Sequence, residues 1–348
     1  MKKMFKLFSG ILATAAIITL FSCQGPPGVA GTDGADGEDG TNGTSGNVTC
    51  MTCHDESTDY AIKRTQFNQS AHSLGTYYDR GGECSGCHST EGFLARENFT
   101  SASEIYDLAI PEQTAISCKT CHKVHQDYAA TDWDLTIASV VTETLFGTTS
   151  PEVASIAFGD LGNSNQCLQC HQARDRGNVP STTSTADVET SSHWGPHYGV
   201  QGNVLFSKAG VHVGTGYPTE AHFHGKIENA CIACHMHEDN HSLAVNLESC
   251  VGCHTSIDNA EDKLIALETA VHTKLMELGA KLAKKGLMDE ITDELDEVIG
   301  YAPIGGTISA ADASLVYNYM VVEEDKSGGI HNPTYIMKLL NNSITAAK

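Results

Sequence analysis

Long apolar runs are missing from this chain of 348 residues. Its one candidate, residues 10–21, stops short of the roughly 20 apolar residues that a membrane-crossing helix needs. Preceded by Lys2, Lys3 and Lys6, it reads as the charged start and short hydrophobic centre of an export signal over residues 1–22. Positive charge is scarce too. Lys and Arg number 21 against 43 Asp and Glu, a net charge of −22, and loss of three lysines with residues 1–22 takes it to −25. Such acidity argues against nucleic acid and anionic lipid surfaces as partners. It suits basic or metal-bearing partners that associate in a salt-sensitive way, or a charge that serves only solubility. Clean helical periodicity is also rare between residues 50 and 257, and with it the aliphatic stripes of an ordinary helical core.

What is abundant is cysteine in one arrangement. Twelve of the 13 cysteines fall in six copies of Cys-x-x-Cys-His: Cys50, Cys53, His54; Cys84, Cys87, His88; Cys118, Cys121, His122; Cys167, Cys170, His171; Cys231, Cys234, His235; and Cys250, Cys253, His254. This is the attachment signature of c-type haem. Two thiols three residues apart can add to the two vinyl groups on one edge of a porphyrin, and the adjoining histidine then lies against the iron as its proximal ligand. Zinc knuckles would take four cysteines per site and leave six histidines without a role. Disulfides within the motifs would close loops too small to constrain the chain. The motifs therefore predict six covalently bound haem c groups. Porphyrin faces, rather than aliphatic side chains, should fill much of the interior of residues 50–257, a haem domain with short helices starting at the motifs.

The thirteenth cysteine, Cys23, ends Leu20-Phe21-Ser22-Cys23, which resembles a bacterial lipobox and implies cleavage before Cys23 and its lipidation; the plain alternative is an ordinary signal peptide. Gln24, where Asp would signal retention at the inner membrane, favours the outer membrane. Glycine recurs at every third position from Gly25 to Gly46, a collagen-like period. With only Pro26 and Pro27 to stiffen it and Asp33, Asp36, Glu38 and Asp39 to repel, residues 23–49 read as an acylated, solvated stalk, trimerisation being the alternative. The first three motifs begin at 50, 84 and 118, a 34-residue period. Residues 133–145, rich in β-branched side chains, read as a small strand excursion with 154–158 as partner, and residues 175–190 and 201–220 as loops. From 258 to 348 a helical module is expected. Leu264, Leu267, Val271, Leu275, Leu278 and Leu282 make one stripe ended by Gly286, 287–306 is an acidic connector, Ser309 and Asp312 open a second helix, and Asn332-Pro333 opens a third. The fold class is thus mainly α with little regular structure: a haem-packed core, a small β excursion near 133–158 and a C-terminal helical module.

Seventeen histidines less six leave His72, His125, His193, His197, His212, His222, His224, His237, His241, His272 and His331. That surplus points to bis-histidine irons, which pass electrons but do not readily bind a substrate, at lower potentials than His/Met irons. Several contexts resemble the large family of multihaem cytochromes related to pentahaem nitrite reductases and hydroxylamine oxidoreductases. They are Gln69-Ser70-Ala71-His72; His125 three residues after His122; Ser192-His193-Trp194-Gly195-Pro196-His197; His224-Gly225-Lys226 ahead of Cys231; His241 after that motif; and Asp325-x-Ser327-x-Gly329-x-His331-Asn332-Pro333. The resemblance implies His72, His125, His193, His224, His241 and His331 as distal ligands, with His193 favoured over His197. His272, on the flank of its helix, is held in reserve, and His197, His212, His222 and His237 read as packing or surface residues. The lysine-bearing motif of the reductases, Cys-x-x-Cys-Lys, does not occur.

The sequence therefore predicts an exported, membrane-anchored hexahaem cytochrome that transfers electrons on the periplasmic or cell-surface face of the outer membrane, in anaerobic or extracellular respiration. Its partners would be redox proteins or an extracellular, metal-bearing acceptor. Two alternatives stay open: a reductase of a small nitrogen or sulfur oxyanion at one open haem, and a subunit of a homo-oligomer or filament.

Overall fold

The computed structural model describes His54 and residues 59–96, 110, 112–141, 158–173, 179–180 and 183–348. The export signal, Cys23, the glycine-rich stalk and the cysteines of the first motif lie outside the described residues.

The first half is built from short pieces. Helices α1 (Asp59–Phe67), α2 (Ser85–His88), α3 (Thr90–Ala95), α4 (Cys118–Cys121) and α5 (Asn165–Leu168) are joined by turns, and α1 buries none of its residues. Polar contacts do much of the joining. Thr90 Oγ1 meets Thr120 Oγ1 at 2.8 Å and donates to Ala115 O at 2.7 Å, Glu91 accepts from Thr114 N, and Gln169 Nε2 donates to Ser139 O at 3.0 Å. One small apolar cluster, Val141, Phe158, Leu161, Leu168, Leu205 and Ala230, underlies this part. No strand forms over 133–141. Residues Ala130–Trp133 make a 3-10 turn and Leu135 makes an isolated bridge to His122; the rest of the expected excursion, apart from Phe158, lies outside the described residues.

Two expected loops contain regular structure. Asp187–Thr190 forms strand β1, and Gln201–Leu205 forms α6, a five-residue helix that buries Gly202, Asn203, Val204 and Leu205. Helix α7 (Ala230–His235) carries the fifth motif.

The C-terminal part follows its sequence signals. Helix α8 (Ile257–Lys284) opens where Ser256 Oγ accepts from Asn259 N at 3.1 Å, and it buries Val271, Leu275, Leu278 and Leu282 from the apolar stripe. It stops where Gly286 takes a left-handed φ of 72° and Leu287 N bonds back to Leu282 O. The expected acidic connector is a hairpin, β2 (Met288–Thr292) against β3 (Val298–Pro303). Its carboxylates hide the alternation because most of β2 faces solvent, leaving Met288, Tyr301 and Pro303 as inward anchors. Strand β4 (Gly306–Ser309) pairs antiparallel with β1, Asp187 opposite Ser309. Ser309 Oγ then accepts from Asp312 N to open α9 (Ala310–Asp325), and the Asn332 side chain accepts from Tyr335 N to open α10 (Pro333–Ala346).

Helix α9 is buried almost all round, as a core helix must be. The apolar core around it crosses the expected boundary at 257/258: Val188, Trp194, Val200, Val204, Ala209 and Val211 pack with α8, α9 and α10. Buried polar side chains fix that seam. Asn318 bonds both the N–H and the carbonyl of Val211, and Tyr335 OH accepts from Ala209 N and Gly210 N. Leu278→Ala, which empties a fully buried site in this core, is expected to cost about 2–5 kcal/mol in denaturant unfolding. A loss below 1 kcal/mol would show that the site collapses without penalty. None of the described helices is long and apolar enough to cross a membrane.

Candidate haem sites

Each of the five fully described motifs forms about one helical turn, so its two cysteines and its histidine, at i, i+3 and i+4, share a face. The turn is closed by His122 N to Cys118 O at 2.9 Å, His171 N to Cys167 O at 2.9 Å and His254 N to Cys250 O at 2.8 Å. The described cysteines are free thiols, and several meet across motifs. Cys170 is hydrogen-bonded to Cys87, which with burial pushes its thiol well up; Cys167 is bonded in the same way to Cys231. Burial pushes the Cys121 thiol to about 11, and Ser249 bridges Cys234 and Cys250.

Five motif histidines each face one other histidine. Ring centres are 6.0 Å apart for His54 and His125, 6.2 Å for His88 and His197, and 6.2 Å for His122 and His241. They are 5.9 Å apart for His171 and His72, and 6.4 Å for His235 and His331. Two imidazoles bound to opposite faces of one iron, with metal–nitrogen bonds of about 2 Å each, stand with centres roughly 6 Å apart. The spacing fits one iron between each pair.

The second ring nitrogen is engaged as metal-ligating histidines require. Nδ1 donates to Trp133 O in His122 (2.7 Å), to Gln201 Oε1 in His171 (2.9 Å), to Leu243 O in His235 (3.0 Å), to Asp239 O in His241 (2.8 Å) and to Asp325 Oδ1 in His331 (2.8 Å). That leaves Nε2 as the facing atom. Burial, with His171 second, brings His72 down to about 4, and burial also lowers His171 and His241, so these rings are neutral, as metal ligands must be. Burial works on His331 in the same direction, but the Asp325 carboxylate outweighs it and the net shift is upward.

The partners are set by local backbone. His125 has a φ of 65°, and Asp132 holds its loop by accepting from His125 N at 2.9 Å and Asp127 N at 2.8 Å. His241 N donates to Gln66 Oε1 of α1, and Asn332, beside His331, donates to Val204 O, Leu205 O and Ser207 Oγ.

Two of the expected distal histidines are not the ones that face a motif histidine. His197, not His193, comes opposite His88: Trp194 is buried with Nε1 on Ala313 O, and the chain turns so that His193 points to solvent beside Ser192 while His197 adopts a φ of 60°. His224 faces no motif histidine; its Nδ1 donates to Ile330 O at 2.7 Å and its ring lies 4.8 Å from His222. His272 is exposed on α8, and His212 stacks on Tyr217 at 4.1 Å. Sequence reasoning also passed over Arg96, which is 7% exposed. Its Nη2 donates to Gln169 O at 2.6 Å and its Nη1 to Gly86 O at 3.1 Å. Nη1 also lies 3.6 Å from Cys170 Sγ and 3.9 Å from Cys87 Sγ, while Nε has no partner. A single Arg, near the second motif in sequence but far from the fourth, carries no sequence signal.

Free thiols in attachment spacing, iron-sized gaps between facing imidazoles and a buried cation among the sulfurs all fit haem. The chain is mainly α with small β parts and is similar to multihaem c-type cytochromes, whose covalent haem c its motifs would hold. It is 26% identical over 266 residues to the C-type polyheme cytochrome OmcB of Geobacter sulfurreducens, covering 60% of this chain and 35% of that one. It is likewise 26% identical over 266 residues to the C-type polyheme cytochrome OmcC of the same organism, covering 60% and 34%. The chain thus spans about a third of the length of these relatives. Its fold is similar to that of the outer cell wall cytochrome OcwA, with a TM-score of 0.52 and 20% identity over 82% of this chain and 50% of that one. No protein-family model matches the chain.

Proposed function

We propose that the chain is a hexahaem electron-transfer protein in which His54, His88, His122, His171, His235 and His254 are proximal ligands, and His125, His197, His241, His72 and His331 are the distal ligands of the first five. The observation that carries this reading is the set of five facing histidine pairs. Such irons are closed to substrate and suited to passing electrons. The thiol contacts support a continuous path. The fourth motif adjoins the second through Cys87 and Cys170, the fifth through Cys167 and Cys231, and the third through Cys121, while the fifth adjoins the sixth at Cys234 and Cys250. The protein's part is to hold these centres in fixed order, set their potentials and exclude side reactions.

Export by residues 1–22 and lipidation of Cys23 would put this path at a membrane surface facing outward. OmcB and OmcC are polyhaem cytochromes and OcwA is an outer cell wall cytochrome, which supports extracellular respiration with redox proteins or a metal-bearing acceptor as partners. The test is intact mass and pyridine haemochrome on protein matured with haem ligation, followed by film voltammetry. Six haems per chain and reversible multi-electron current are expected; fewer haems, or current only with an added substrate, would replace this reading with another.

One haem should stand apart in potential. The Asp325 carboxylate, 2% exposed, holds His331 Nδ1, makes that ligand more basic and favours ferric iron at the fifth motif. Asp325→Asn is expected to raise one midpoint in a spectroelectrochemical titration and leave the others in place. An unmoved titration would mean the carboxylate does not tune that iron.

A further inference from the structure

The histidine census is complete, because all seventeen lie among the described residues, and it leaves one motif out. His54, His88, His122, His171 and His235 each have a facing ring, whereas none comes into ring contact with His254. Of the six others, His193 is engaged with Ser192, His212 with Tyr217, and His224 with Ile330 O and His222, while His237, half-buried two residues after His235, makes no ring contact with His254. His272 is exposed fifteen residues into α8, about 22 Å along its axis from the start of that helix, and makes no ring contact with His254.

The sixth motif is also open to solvent. Its turn is formed, yet Cys253 is exposed, Val251 is 39% exposed, and a side chain added at Gly252 would meet nothing within 4 Å. Glu248, Asp258, Glu261 and Asp262 flank it in sequence against Lys263 alone, a setting that repels small anions.

We propose that the haem held by Cys250, Cys253 and His254 has no protein ligand on its far face and binds a small neutral ligand, such as a diatomic gas, from solvent. The chain would then pair five closed relay centres with one terminal, ligand-accepting centre. This rests on the haem reading above, and the test separates the two. The full chain, matured and shown by intact mass to carry six haems, is examined oxidised by electron paramagnetic resonance and then, reduced with dithionite, titrated with carbon monoxide. One high-spin haem beside five low-spin ones is expected, with one carbon monoxide bound per chain. The Cys250→Ala/Cys253→Ala variant, five haems by mass, should lose both signals. Six low-spin haems, a high-spin signal that disappears as protein concentration rises because a second copy supplies a histidine, or carbon monoxide binding that survives in the variant would each overturn the proposal. A chain without added porphyrin mass would instead remove the electron-transfer reading itself.

Discussion

Secreted without haem attachment, the chain is expected to give a divided protease map, with ready cleavage across residues 59–172 and resistance across 188–347. Among described residues, the first segment buries few apolar side chains, Phe93, Ile137, Val141, Phe158, Leu161 and Leu168. Each such side chain contributes about 2 kcal/mol on burial, against an ordering cost of about 1 kcal/mol or more for every residue. Its hydrogen bonds cannot make up the difference, since a typical one adds only about 1 kcal/mol net. In the proposed haem reading, porphyrin faces and the His54–His125, His88–His197, His122–His241 and His171–His72 pairs would tie this segment together. The second segment has its own core from Val188 to Ala347. Limited proteolysis read by mass spectrometry checks this. Equal resistance in both segments without haem would show that protein–protein packing suffices, and the role given to the porphyrins would fall.

Replacing Arg96 should move two midpoints at once. A buried guanidinium beside Cys87 and Cys170, with no carboxylate paired to it among the described residues, favours the less positive, reduced state of both nearby centres. A unit charge on the order of 9 Å from an iron, at an effective dielectric constant of about 20, is worth roughly 2 kcal/mol. For a one-electron couple that is about 80 mV. Arg96→Gln is therefore expected to lower two of the midpoints by about that much, while Arg96→Lys, which keeps the charge, restores most of the shift. A purely structural role would affect the two variants alike, because lysine also loses the bonds to Gln169 O and Gly86 O. Thermal denaturation of both variants separates packing loss from charge loss.

The distal ligands show how far local reading reaches. Flanking residues single out six histidines, of which His72, His125, His241 and His331 each face a motif histidine in the structure, whereas His193 and His224 do not. His193 and His197 sit in one short block, in which the family resemblance favours His193. The choice between them falls to Trp194, whose indole is drawn into the core at Ala313 and turns His193 outward. The hairpin at 288–303 escaped notice for a related reason: a strand with one wet face and many carboxylates lacks the alternation by which strands are recognised.

The sequence by itself determined what is covalent and local. Two thiols and a histidine within one helical turn define an attachment site whatever surrounds it, and capping residues such as Ser309 and Asn332 start their helices through contacts three residues away. Only the tertiary structure decided which histidine meets which, that Arg96 lies between two motifs, and that His254 has no facing ring. Those are distances between residues far apart in the chain, set by left-handed turns at His125 and His197 and by one core shared between residues 188–213 and the C-terminal helices. No short stretch of sequence encodes a separation across a fold, because every segment between the two ends contributes to it.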